Sequence, residues 1–309
     1  MKTCVLIYNP NSGHVFKAKY LKEYKDILLK NDYNPKFIAT CYQGHAKEII
    51  SHLEKVDLVI SMGGDGTFNE IITGNLERKE PLIVSHLPVG TTNDIGVMFG
   101  YGKDIKNNLK LLLKGCIKEM DICLINNQPF VYVAGFGKFM QVPYQTPRKL
   151  KKKYGYIAYL IEGTKDYFSP TKLYKIKYNV NGITKTGYYS FILISNANRI
   201  AGINNFYRNV KLDDDQFEVL LCNFNRRIDI IKTFSLLMTM DASKVSGVEF
   251  YKTNHIELEF DDYPKHGWCI DGEKLKCRTL KYDIKNINHI KIMLPTKNID
   301  KIFVNKKID

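Results

Sequence analysis

The sequence predicts two domains in succession: a doubly wound α/β domain, then an antiparallel β-rich domain built as a sandwich or barrel. Three observations carry this. Over the first ~125 residues, strand-length apolar runs alternate with helical patterns across Gly/Asn/Thr-rich loops. From about Asp121 the pattern becomes short strands separated by turn signals. A length of 309 residues favours two domains over one.

In order, Cys4–Tyr8 is a short apolar run followed by "NPNSG". Val15–Lys30 then carries Ala18, Leu21, Tyr24 and Leu28 at helical spacing. Val56–Met62 leads through "GGDGT" into a helical Phe68–Leu76. Leu82–Leu87 leads through "PVGTTND" into Ile95–Phe99, and Lys103–Lys114 reads as another helix. In doubly wound sheets, ligands gather outside the carboxyl ends of the strands, where all three loops fall. In the second part, "DICLINNQPFVYVAG" reads as two strands around Asn126-Asn127. Asn181-Gly182 and Asp271-Gly272 mark further tight turns. Helical stretches at Lys149–Tyr167 and Arg227–Lys244 interrupt the strands. The final "NIDKIFVNKKID" is a tail or a return to the first domain.

The apolar runs are strand-length, none nearing the ~20 residues of a spanning helix. "MKTCVLIYNPNSG" does not read as a signal peptide, so a cytoplasmic location is expected. The seven cysteines are scattered without a C-x-x-C pair, which indicates neither a disulfide framework nor a zinc site. A net charge of +14 suits a polyanionic partner such as a nucleotide, nucleic acid or an anionic membrane. A lysine-rich compositional bias would give the same number.

Gly63-Gly64-Asp65-Gly66-Thr67 combines glycines that expose amide N–H groups with a following helix whose positive end points at the loop. That makes a phosphate cradle. Among phosphates, Asp65 suits a bound Mg²⁺; alternatively the loop is a glycine turn with Asp65 as helix cap. Asn9-Pro10-Asn11-Ser12-Gly13 and Gly90-Thr91-Thr92-Asn93-Asp94 offer the same physics more weakly, each also readable as a plain turn or cap. In "WCIDGEKLKC", Asp271-Gly272 reads as a tight turn and Glu273 as a solvent-facing charge. Asp213-Asp214-Asp215 is either a solvated acidic run or a hard-cation site. "TPRKLKKKYGYIAYL" sets Arg148 and several lysines beside tyrosines. That suits an anionic bilayer, a solvated helix start, or nucleic acid, for which no recognised signature is present.

"NPNSG", Thr40 with Gly44-His45-Ala46, "GGDGTFNEIITG" and "PVGTTND" resemble, in order and spacing, the diacylglycerol kinase catalytic domain family. "KKKYGYIAYLIEG", "ISNANRIAG", "KLDDDQFEV" and "CIDGEKL" extend the likeness over nearly the whole chain. The resemblance implies an α/β nucleotide domain over 1–122, a β-sandwich lipid-substrate domain over 123–291, a cleft between them, and residues 292–309 returning to the first. It implies ATP bound by Asn9, Ser12, Thr40, Gly63, Gly64, Gly66, Thr67, Thr92 and Asn93, with Glu70 supporting the loop. Asp65 matches the motif aspartate, and Mg²⁺ is the expected ion. Asp271, projecting from its hairpin tip, becomes the general base for a lipid hydroxyl, with Glu273 nearby. This reverses the reading from the turn alone.

The family usually has Asp-Asp-Gly before a strand, associated with a structural Mg²⁺. Here Asp215 replaces the glycine, leaving Asp213 first and Asp214 second as cation ligands. The expectation is a cytoplasmic, peripherally membrane-associated lipid kinase acting on diacylglycerol. Phosphatidylglycerol, a sphingoid base or NAD are the alternative acceptors; a nucleotide- or nucleic-acid-binding regulator on a degenerate kinase scaffold is the non-enzymatic alternative. The partners are anionic lipid and ATP, not nucleic acid, with a homodimer by analogy.

Overall fold

The computed structural model describes residues 1–12, 18–90, 93–140, 165, 167–200, 203–204, 207, 209–224, 226–239, 244–264, 267–275 and 278–304. They form two units: Met1–Met120 with His289–Asp309, and Asp121–Asn288.

In the first unit, β1 (Lys2–Tyr8), β2 (Tyr33–Ala39), β3 (Leu58–Gly63) and β4 (Val84–Pro88) form a parallel sheet in the order β2-β1-β3-β4. The central strands β3 and β4 are buried along their whole length, which is why they read as mostly apolar runs, with Ser61, Ser85 and His86 as their buried polar residues. β2 has no strand signature in the sequence because Pro35 interrupts it. It sits at the sheet edge, where a missing N–H is tolerated. Among the described residues, helices α1 (Ala18–Leu29), α2 (His45–Ser51), α3 (Asp65–Leu76), α4 (Asp94–Met98) and α5 (Ile105–Leu113) connect or follow these strands. α2 and α3 pack at Gly74, where an added Cβ would lie 2.4 Å from the Lys47 carbonyl oxygen.

The chain passes from β1 to one side of the sheet and returns across it to β3. The strand order therefore reverses between β1 and β3. A doubly wound sheet binds ligands beyond the carboxyl ends of strands at such a reversal.

β5 (Cys116–Ile125) leads into the second unit, which is antiparallel. Its strands are β6 (Gln128–Phe130), β7 (Val133–Gly137), β8 (Tyr174–Val180), β9 (Ile183–Tyr189), β10 (Phe191–Ser195), the short pair β11 (Arg199–Ile200) and β12 (Ile203–Asn204), β13 (Phe217–Cys222), β14 (Val248–Thr253), β15 (His255–Phe260), β16 (Cys269–Ile270) and β17 (Glu273–Lys274). β18 (Lys281–Leu294) begins here, and its last residues run parallel to β4 in the first unit's sheet, Ile292 opposite Val84.

One sheet has the order β14-β13-β10-β7-β16-β17, and β8, β9 and β15 belong to the layer facing it. Alternate residues of both layers meet in an aromatic core around Phe136, Phe260 and Trp268, with ring centres 4.8 Å (Phe136–Phe260) and 5.6 Å (Phe136–Trp268) apart. That is a β-sandwich. The outer face of the six-stranded sheet buries Leu193, Leu220 and Cys222 against Ile230 of α6 (Arg227–Thr239). A short α7 (Ile299–Ile302) ends the described chain.

The turns follow the sequence closely. Asn126-Asn127 (φ 45 and 66), Asn181-Gly182 (51 and 77) and Asp271-Gly272 (46 and 87) all have two positive φ values in succession, as type I′ hairpins require. Among the described residues, no helix is long and apolar enough to cross a membrane.

Candidate functional site

Four loops leave the carboxyl ends of β1 to β4. The first is anchored where it begins: Asn9 donates its N–H to the Met62 carbonyl (3.1 Å), and its own carbonyl accepts from Ser12 (3.0 Å). Its Oδ1 accepts from the Asn11 N–H at 2.9 Å, fixing an Asx turn. After β2, buried Thr40 donates its N–H to the Tyr8 carbonyl at 2.8 Å. Gly13, Thr91 and Thr92 lie outside the described residues.

The glycine loop after β3 meets the loop after β4 backbone to backbone. Val89 donates to the Gly63 carbonyl at 2.8 Å, and a Cβ on Gly90 would lie only 2.7 Å from the Gly64 Cα. Any side chain at Gly90 would push these loops apart. Gly64 caps α3, its carbonyl accepting from Thr67 (3.0 Å) and Phe68 (3.3 Å). Gly66 and Thr67 then lie in the first helical turn, half-buried. The helix therefore starts at Asp65, three residues before its apolar periodicity begins.

Asp65 is buried, and its carboxylate accepts from the backbone N–H of Asp94 (3.1 Å) and Ile95 (3.4 Å). It is a helix cap, but for α4 rather than for the helix it begins. Asn93, at φ 52, donates Nδ2 to the Gly90 carbonyl at 3.0 Å, and its buried Oδ1 has no hydrogen-bond partner among the described residues. That acceptor beside the touching glycines fits a ligand carrying its own donor, such as a purine amine or a nucleotide hydroxyl.

Glu70 acts one layer back. Its two carboxylate oxygens accept from the N–H groups of Gly44 (2.8 Å) and Ala46 (3.2 Å). It closes the amino end of α2 and holds the Thr40 loop. In this geometry Glu70 supports the loop through the Gly44 and Ala46 amides. His86 was not legible as part of this region. It lies fully buried in β4, stacked on Phe68 at 4.8 Å, with Nδ1 3.4 Å from Ser61 Oγ. Burial pushes its pKa down to about 3, so the ring is neutral.

In the second unit, strand register gathers the remaining candidates at one end of the six-stranded sheet. Lys252 pairs with Glu218, Glu218 with Ser195, and Ser195 with Val133. The Val133 carbonyl accepts from the Asp271 N–H at 2.9 Å. Asp271 is 5% exposed. Its Oδ2 accepts from the Val131 N–H at 2.6 Å, and its Oδ1 accepts from Tyr132 (3.1 Å) and Val133 (3.0 Å). The expected outward projection from the hairpin tip is therefore corrected: three amide donors draw this carboxylate back onto the chain. Glu273 on the same hairpin is exposed.

The acidic run before β13 divides by role. Asp213 is half-buried. Asp214 is bound to the Lys252 ammonium at 2.6 Å and accepts from the Gln216 N–H at 3.2 Å. Its charge is already compensated, so it does not fit a cation ligand as it stands. Asp215 has φ 60, the left-handed conformation a glycine would take, and its N–H donates to fully buried Asp121 at 2.8 Å. Asp121 and Glu218 carried no signal in the sequence. Glu218 Oε1 lies 3.7 Å from Lys252, and burial pushes its pKa up to about 8 despite that cation. The basic stretch from Arg148 to Lys153 lies outside the described residues.

Residues 3–125 match the family model described as the diacylglycerol kinase catalytic domain. Diacylglycerol kinases from Staphylococcus aureus strains MRSA252 and JH9 are each 28% identical over 98% of this chain and 96% of theirs. A crystal structure of a diacylglycerol kinase from Bacillus anthracis strain Sterne has the same fold. Its TM-score is 0.76 at 22% identity, covering 96% of this chain and 98% of that one.

Proposed function

We propose, from the match of residues 3–125 to the diacylglycerol kinase catalytic domain model, that the chain transfers the γ-phosphoryl group of ATP to a lipid hydroxyl, diacylglycerol first among acceptors. The observation that supports it most is the convergence of four anchored loops on the carboxyl ends of β1 to β4, beside the reversal of strand order. Asn9, Ser12, Thr40, Gly63, Gly64, Gly66, Thr67, Thr92 and Asn93 would hold the nucleotide. The amino end of α3 would favour its phosphates.

Asp65, fixed by two backbone donors, would hold Mg²⁺, directly or through water. When bound, that ion supplies positive charge to the phosphate oxygens. Asp213 would hold a second cation, and Asp215 of the same run lies close enough to Asp121 for their carboxylates to share one.

Asp271 would act on the acceptor. As the lipid oxygen bonds to the γ-phosphorus and the bond to the leaving ADP oxygen breaks, the hydroxyl proton passes to the Asp271 carboxylate. In a loose transition state that proton moves late, so orientation matters more than basicity. Three amide donors supply orientation. The lipid would be met at an anionic bilayer surface, which the net charge of +14 favours.

The test is transfer of labelled γ-phosphate from Mg·ATP to diacylglycerol, phosphatidylglycerol, sphingosine and ceramide in mixed micelles, and to NAD in buffer. Label in extracted phosphatidic acid is the expected result. Label in another lipid keeps the kinase and replaces the acceptor, whereas label on NAD or on nothing overturns the proposal.

A further inference from the structure

We propose that the outward face of α6, Arg227–Thr239, is the element of the second unit that enters the surface of an anionic bilayer. This rests on the lipid-kinase reading and adds to it the place of contact. The helix has two unlike faces. Ile230 and Thr233 are buried, and Leu236 packs on the outer core of the six-stranded sheet. One turn apart on the opposite face, Ile228 is 60% and Ile231 51% exposed, with Lys232 and Ser235 exposed beside them.

A surface helix ordinarily turns polar residues to water on that side. Paired large aliphatic side chains at a three-residue spacing make one apolar stripe instead. A second apolar group lies over the same sheet face: Phe168 is 63% exposed and stands edge-on to Tyr167 at 5.1 Å, and Tyr167 packs against that outer core.

Charge selects the partner. Exposed Lys232 lies beside Ile228 on the helix circumference, on the side away from Ile231, while Arg226 before the helix is paired with Asp229 at 3.3 Å. An apolar stripe edged by Lys232 on a chain of net charge +14 matches the boundary between acyl chains and anionic headgroups. A protein surface would have to present an apolar groove rimmed by acids, and a second copy of this +14 chain would bring more positive charge.

The experiment compares the whole chain with the Ile228→Ser/Ile231→Ser double variant in sedimentation with vesicles of phosphatidylcholine, with and without phosphatidylglycerol. The parent chain should bind the anionic vesicles and the variant at least tenfold more weakly. Both should phosphorylate a dispersed short-chain diacylglycerol within about twofold of each other, since neither position touches the reacting groups. An Ile231→Trp variant should show tryptophan emission, above that of the parent chain, that brominated anionic lipid quenches. Equal vesicle binding by parent and double variant, or no quenching of the added indole, overturns the proposal. So does a parent that is dimeric without lipid while the double variant is monomeric, because the face would then join two copies. Failure to phosphorylate the short-chain lipid would overturn the kinase reading separately, whatever the vesicles show.

Discussion

Replacing Asp271 by Asn changes one acceptor atom into a donor inside a site that contains three donors. Asp271 Oδ1 serves Tyr132 and Val133, and Oδ2 serves Val131. The best arrangement for the substituted amide keeps its oxygen on the paired donors and turns its NH₂ toward Val131, leaving that buried N–H unsatisfied. An unpaired buried donor costs about 1–3 kcal/mol, and the two surviving bonds lose their charge assistance. Taken together, about 3 kcal/mol is expected. In the thermal transition of the second unit that is a fall of roughly 6–12 °C. Catalysis should fall separately, by about 10²–10⁴ in kcat if Asp271 accepts the proton. KM for ATP should stay unchanged, because the nucleotide loops belong to the first unit. Calorimetry gives the first quantity, and steady-state kinetics well below the transition gives the second. An unchanged transition temperature would refute the amide-cap argument; full turnover would refute the general-base assignment.

Glu70→Gln keeps one acceptor for the Gly44 and Ala46 amides and loses the other, so stability should drop by about 1 kcal/mol. KM for ATP should rise while kcat holds, which initial rates at varied ATP would check. Stability should also be greatest between acid and mildly alkaline pH. His86 has its folded pKa depressed from 6.5 to about 3, so the unfolded chain binds its proton first and stability falls as pH drops from 6.5 towards 3, by at most about 5 kcal/mol. Glu218 is raised from 4.5 to about 8, so its contribution is intact below pH 4.5 and is lost as pH rises through 8. His86→Phe should flatten the rise of denaturation midpoint between pH 3 and 6.5, and Glu218→Gln the fall between pH 4.5 and 8. An unchanged rise and fall would mean that neither group is desolvated as its burial indicates.

The alternation of strand, loop and helix was legible because parallel strands buried on both faces read as largely apolar runs. The hairpins were legible because two successive positive φ values nearly demand Asn, Asp or Gly. β2 escaped because an edge strand tolerates Pro35, which argues against a strand everywhere else. The start of α3 escaped because periodicity begins at Phe68, whereas Asp65 and Gly66 occupy a first turn where helix propensity and intrahelical bonding matter little. Thr92 and the basic stretch after Arg148, both singled out in the sequence, fall outside the described residues.

The carboxylates show why a site is only partly legible. Residue type marked Asp65 and Asp271 as chemically loaded, but Asp65 finds its donor 29 residues away and Asp271 finds one 140 residues away. No local pattern encodes such pairs. The acidic run makes the same point from the other side. Asp215 departs from the glycine that the resemblance leads one to expect, yet its backbone keeps φ 60, at a local cost of about 1–2 kcal/mol that its N–H bond to buried Asp121 helps offset. The substitution thus leaves the loop's shape alone. What changes the chemistry is Lys252, far along the chain from where a sequence reader would look, whose ammonium takes Asp214. For Asp271, the turn reading and the catalytic reading are one structure seen twice. The left-handed Asp of a type I′ turn is what lets its carboxylate reach back to three amides, and a carboxylate so held is the oriented acceptor that a late proton transfer requires.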